Sequence, residues 1–82
     1  MTQSKIKILV VEDDVSLSFL LNDNLKEEGF DVHCCADGNE GLNEFLKNDF
    51  HLCILDVMLP KQDGFRLAEN IRKKNPAVPI IF

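Results

Sequence analysis

No apolar run in this sequence approaches the roughly 20 residues that a membrane-spanning helix requires. The longest, such as Ile8 to Val11 and Leu52 to Leu55, have the length of strands. Positive charge is also in short supply. Nine basic residues against fourteen acidic ones leave a net charge of −5, which argues against a surface that gathers nucleic-acid backbone or anionic lipid on its own. The start, Met1-Thr2-Gln3-Ser4-Lys5, has neither the apolar stretch nor the small-residue cleavage site of a signal peptide, so a cytoplasmic protein is expected. Cysteine is sparse: Cys34, Cys35 and Cys53 form neither an even set nor a zinc-ligand spacing. Adjacent Cys34 and Cys35 would point to opposite faces of a strand, and all three are read as reduced, small, buried hydrophobes. No glycine-rich loop follows the first strand-like segment, as a dinucleotide-binding or P-loop fold would need. Repeats, low-complexity tracts and linkers are missing too, and 82 residues with 45% hydrophobic content read as a single domain, residues 1–82.

What is present is an alternation of two periods. Ile6 to Val11 is β-branched and almost continuously apolar, as expected of a strand covered on both faces. Leu17, Leu20, Leu21 and Leu25 then recur at helical spacing, with Ser18, Asn22 and Lys26 on the opposite side. Asp14 is placed to cap this helix and Gly29 to end it. A second strand, Val32 to Cys35, precedes Asp37 and Glu40, whose spacing suits a capping box, and a second helix with Leu42, Phe45 and Leu46 inward. The third strand, Leu52 to Asp56, leads through a loop, Val57 to Gly64, to a third helix with Leu67, Ala68 and Ile71 inward. Val78 to Phe82 reads as the beginning of a fourth strand. Connections this long rule out hairpins and call for a parallel α/β sheet with helices on its faces. An apolar last strand would leave an unpaired edge, so the chain is expected to be cut within the fold and to associate with itself along that edge.

Open α/β sheets form their sites beyond the carboxyl ends of the strands. Glu12 and Asp13 lie just past the first strand and Asp56 ends the third, so three carboxylates converge if those strands are neighbours. Their mutual repulsion favours a hard divalent cation, and magnesium suits a site with few protein ligands. The plainer reading is that the acids cap helices and turns, and Asp14 is assigned to that role. Asp56 follows four apolar residues, where an unpaired carboxylate would be costly, so it is expected to face a polar site. His33 and His51 are isolated and read as structural or solvent-facing, and Arg72, Lys73 and Lys74 as a solvated helix end. Val57-Met58 after Asp56 lacks the second acid of an aspartate-nucleophile phosphatase, which counts against a metal-dependent hydrolase.

In order and spacing, several segments resemble the receiver domains of two-component response regulators. They are Ile8 to Asp14, Leu20-Leu21, Gly29-Phe30, Ala36-Asp37-Gly38, and Leu55-Asp56-Val57-Met58-Leu59-Pro60 followed by Asp63-Gly64. The resemblance covers the whole chain and implies a flavodoxin-like parallel sheet of order 2-1-3-4 with helices on both faces. It implies that Asp56 is the phosphoacceptor and Asp13 a direct Mg2+ ligand. The Met58 backbone carbonyl would be a further ligand, with Glu12 acting through water and Pro60 and Gly64 shaping the loop. The implied donor is a phosphohistidine on a sensor histidine kinase, or a small phosphodonor, and water later hydrolyses the acyl phosphate. By the same resemblance, residues 1–82 are the N-terminal two-thirds of one receiver domain, a signalling domain rather than an enzyme. The family's phosphoryl-contacting Ser or Thr and Lys would lie beyond Phe82, and DNA would be met only through an output domain outside this chain. A pseudo-receiver that serves only as an interaction module is the alternative.

Overall fold

Ile8, Leu9, Val10 and Val11 are all nearly inaccessible, which only a strand with packed layers on both sides achieves. The structure is a computed structural model that describes residues 5–60 and 63–82. Met1 to Ser4, and Lys61 and Gln62 of the expected loop, lie outside the described residues. The strands are β1 (Lys7–Val11), β2 (Asp31–Cys35), β3 (Leu52–Leu55) and β4 (Ile80–Ile81), and the helices are α1 (Val15–Glu27), α2 (Gly38–Lys47) and α3 (Gly64–Lys74). All pairings are parallel in the order β2-β1-β3-β4, the order expected of a flavodoxin-like sheet.

Alternation along the strands divides the core between the two faces. Leu9, Val11, Cys35, Cys53 and Leu55 point to the side covered by α2 and α3, where Phe45, Leu67 and Ile71 complete the larger cluster. Ile8, Val10 and Val32 point to the other side, against Leu21 and Leu25 of α1 and Phe30. Gly29 adopts φ +97° just past α1, which lets Phe30 N–H return to the Leu25 carbonyl and fold the chain sharply into β2.

Several expectations are corrected by packing. Leu17 and Leu20, read as core-facing, are 43% and 55% exposed, while Ser18 and Asn22, read as outward, are half-buried. Helix α1 meets the sheet through Ser18, Leu21, Asn22 and Leu25, a stripe turned toward β2 from the one that leucine spacing alone suggests. Leu46 of α2 is likewise exposed, because the side of the helix that packs on the sheet is the one carrying Gly38, Gly41 and Phe45. Cys34 is exposed rather than buried, since the α1 residues facing it are Ser18 and Asn22. Arg72 is not a freely solvated charge: its guanidinium donates to the carbonyls of Pro76 and Val78 and ties the α3–β4 turn. His33 reaches Glu44 and Asp31 and packs edge-on against Phe50, so its role here is structural. The exposed His51 accepts the Lys7 N–H through Nδ1.

Candidate functional site

The register of β1, β2 and β3 sets the site. Val11 is level with Cys35 on one side and Leu55 on the other, so β1, β2 and β3 end together. Two further backbone bonds carry this alignment past the strand ends: Glu12 N–H donates to Cys35 O at 3.0 Å, and Asp56 N–H donates to Val11 O at 2.9 Å. Glu12 and Asp56 therefore leave adjacent strands at the same height. Their carboxylate oxygens and one from Asp13 all lie within 4.8 Å of one another, the one such group of metal-capable side chains among the described residues. Asp13 is exposed, and Glu12 and Asp56 are half-buried.

Local hydrogen bonds orient these side chains. Glu12 Oε2 accepts the Asp14 N–H at 3.0 Å, a bond the sequence reading did not anticipate although an acid two residues before a helix cap is its natural signal. Asp14 Oδ1 accepts from Ser16 and Leu17 N–H, the capping role expected of it, and so is committed to α1 rather than to the cluster. Asp56 Oδ1 accepts the Met58 N–H at 3.2 Å, which fixes the rotation of the carboxylate over the loop. The Met58 side chain is 81% exposed, whereas Leu59 is buried and anchors the segment.

Gly64 opens α3 directly behind this loop and donates its N–H to Val57 O at 2.8 Å. A Cβ there would overlap the Asp56 carbonyl oxygen and lie 2.8 Å from Val57 Cα, so only glycine allows the helix to begin this close to the site. Asp63 caps the same helix by accepting the Arg66 N–H. The Pro60 carbonyl lies 3.5 Å from the Gly38 nitrogen at the start of α2.

Desolvation raises the pKa of Glu12 above its usual 4.5, and the neighbouring charges of Asp56 and Asp13 and a side-chain hydrogen bond to Asp56 raise it further. The Asp14 N–H works against them by stabilising the carboxylate. Three hard oxygen donors that repel one another, with no sulfur or imidazole among them, fit an oxygen-seeking divalent cation better than a soft metal.

Comparison with known proteins agrees with this arrangement. The sequence pattern of the response regulator receiver domain matches residues 8–82. The chain is 46% identical over 78 residues to the transcriptional regulatory protein RprY of Bacteroides fragilis, covering 95% of this chain and 33% of that protein. Among solved structures it is similar to the non-phosphorylated HemR receiver domain of Leptospira biflexa (38% identity, TM-score 0.88, 93% of this chain and 61% of that one). It is also similar to the response regulator TrrA of Thermotoga maritima in complex with Mg2+ and BeF (36% identity, TM-score 0.87, 92% and 65%). The chain thus spans about a third of its curated relative and less than two-thirds of these structures. With the sheet order, the converging acids and these matches in hand, the chain belongs to the receiver domain family of two-component response regulators.

Proposed function

We propose that Asp56 accepts a phosphoryl group in a magnesium-dependent reaction whose donor is the phosphohistidine of a sensor histidine kinase. The observation that carries this reading is the position of the Asp56 carboxylate at the end of β3, within 4.8 Å of those of Glu12 and Asp13. Asp13 and Asp56 would hold Mg2+ directly, with the backbone carbonyl of Met58 as a further ligand and Glu12 acting through water. The ion, when bound, offsets the charge of the cluster and of the incoming phosphoryl group. The Met58 N–H holds Asp56 Oδ1 and limits the carboxylate to one orientation. A carboxylate oxygen attacks phosphorus, the P–N bond to the donor imidazole breaks, and that nitrogen keeps the electron pair and takes up a proton. Water returns the acyl phosphate to carboxylate and inorganic phosphate. The chain serves as a phosphorylated signalling element, assisting its own phosphorylation and dephosphorylation.

Similarity to a transcriptional regulatory protein supports a DNA-binding output domain as the recipient of the signal. The family and the three free cysteines support a cytoplasmic setting. Among the described residues, no helix is long and apolar enough to cross a membrane.

The test is incubation of the full-length regulator with acetyl phosphate and magnesium, followed by intact mass measurement. One added phosphoryl group, lost with EDTA and with Asp56→Asn, is expected. An adduct that persists in Asp56→Asn, or no adduct at all, defeats the proposal.

A further inference from the structure

The structural role of His33 uses its ring and Nδ1, and leaves one nitrogen over. The imidazole and the Phe50 ring stand at 86° with centroids 5.2 Å apart, and Nδ1 lies 3.1 Å from Glu44 Oε1. A carboxylate has no proton to give, so Nδ1–H is the donor in that bond and Nε2 is a bare acceptor. Glu44 is itself held, because Asn48 Nδ2 donates to the same oxygen at 3.0 Å and to the Glu44 carbonyl at 3.1 Å. The ring is thus fixed on two sides, and Nε2 has one direction to face.

A second acceptor stands in that direction. Asp31 and His33 are two residues apart on β2 and share one face of the strand, and Asp31 Oδ1 lies 3.4 Å from Nε2. A lone pair aimed at a carboxylate is repelled unless positive charge sits between them. Among the described residues no lysine or arginine pairs with Asp31 or Glu44, so no side chain supplies that charge. A proton on Nε2 would draw the two atoms into a charged hydrogen bond of about 2.7–2.9 Å. The observed separation is longer than that. Two ligands about 2.1 Å from one ion at the tetrahedral angle lie about 3.4 Å apart, whereas the right angle of an octahedral ion brings them to about 2.9 Å.

We infer that His33 Nε2 and Asp31 Oδ1 bind a zinc ion, with water in the remaining positions. Zinc takes an imidazole nitrogen beside a carboxylate in tetrahedral geometry, whereas magnesium takes the all-oxygen donors of the acid cluster. The carboxylate of Glu44 behind Nδ1 is the outer partner of a metal-bound histidine: it fixes the tautomer and makes the other nitrogen more basic. The His33 and Asp31 side chains are 27% and 39% exposed, open enough for an ion to enter. A metal-bound imidazole is in turn a stronger donor to Glu44, so the ion ties β2, at the edge of the sheet, more firmly to α2. The pair shares no residue with the acid cluster, so the inference holds whichever donor serves Asp56.

The test is a zinc chloride titration of the 15N-labelled full-length regulator in excess magnesium, so that the acid cluster is supplied with its own ion. The imidazole nitrogen resonances are followed by NMR, and those of His33 are assigned by their loss in His33→Gln. The His33 Nε2 resonance should move with zinc, saturate and return with EDTA, and the melting temperature should rise alongside. Asp31→Asn should weaken binding at least about tenfold, and Glu44→Gln by about tenfold, the usual cost of losing the carboxylate behind a metal-bound histidine. His51→Gln should change the affinity by less than about twofold. Asp31→Asn leaves the packing of His33 on Phe50 in place, so it gives a reading even if His33→Gln alters the fold. The inference is overturned if millimolar zinc leaves Nε2 unmoved, or if Asp31→Asn binds as tightly as the wild type. Zinc-dependent shifts confined to the amides of Glu12, Asp13 and Asp56 also overturn it.

Discussion

Replacing Asp56 by asparagine should make the metal-free protein more stable. The change removes one charge from a cluster whose oxygens lie within 4.8 Å of each other, and keeps an oxygen at Oδ1 to accept the Met58 N–H. At that separation a pair of unit charges repels by about 0.9 kcal/mol in bulk water and about 3.5 kcal/mol at an effective dielectric of 20. Because the side chains are exposed or half-buried, the aqueous end of that range applies, and the expected gain is about 1 kcal/mol at neutral pH. In a domain of this size, about 1 kcal/mol shifts the melting temperature by roughly 4–8 °C. With neither tryptophan nor tyrosine in the chain, the assay is urea or thermal unfolding followed by far-ultraviolet circular dichroism in EDTA and low salt. The pH dependence has a definite sign. The folded-state pKa of Glu12 is raised above 4.5, so the folded state binds more protons there, and this group's contribution to stability falls as pH rises from 4.5 through the raised value. Asp56→Asn should flatten that decline, because the Asp56 charge is among the causes that raise Glu12. Magnesium should reverse the order: at ten times its dissociation constant it adds about 1.4 kcal/mol to whichever protein binds it, which is expected of the wild type. A variant no more stable than wild type in EDTA at pH 7 would refute the reasoning, for it would mean that the three carboxylates do not repel through the folded state.

Other perturbations probe the framework around the cluster. Burial pushes the thiols of Cys35 and Cys53 up to about 12 while Cys34 is exposed, so a disulfide reagent at pH 8 should titrate one thiol quickly and the other two only on unfolding. Gly64→Ala should destabilise by about 1–3 kcal/mol as the new methyl group displaces the Asp56 carbonyl, and magnesium binding should weaken with it, as measured by calorimetry. Leu67→Ala should cost about 2–5 kcal/mol in urea unfolding because Leu67 is fully buried, whereas Leu20→Ala should stay within about 0.5 kcal/mol. Arg72→Ala should cost about 1–3 kcal/mol by leaving the Val78 carbonyl without its donor, with the loss read in the same assay.

Element order was legible in the sequence because both signals are local. A continuous apolar run marks a strand covered on both faces, and a 3.6-residue recurrence marks an amphipathic helix. Asp14, Asp37 and Gly29 announce helix ends through bonds that span only a few residues. The acid motif was legible for the same reason, with Glu12-Asp13 after one strand and Asp56 ending another. What the sequence left conditional was whether those strands are neighbours. That is a long-range fact, decided when β1 inserts between β2 and β3 and the Val11 carbonyl takes the Asp56 N–H. The rotation of α1 was also beyond local pattern. Leu17, Leu20, Leu21 and Leu25 share one side of a helical wheel, yet the sheet covers only the part of it that carries Leu21 and Leu25. The same choice exposes Val15 and Phe19 and opens a groove beside Cys34. Sequence by itself therefore determined the elements, their caps and the acids they carry. Tertiary structure decided which faces meet and how closely the carboxylates approach, because strand pairing and helix docking are settled by contacts between residues far apart in the chain.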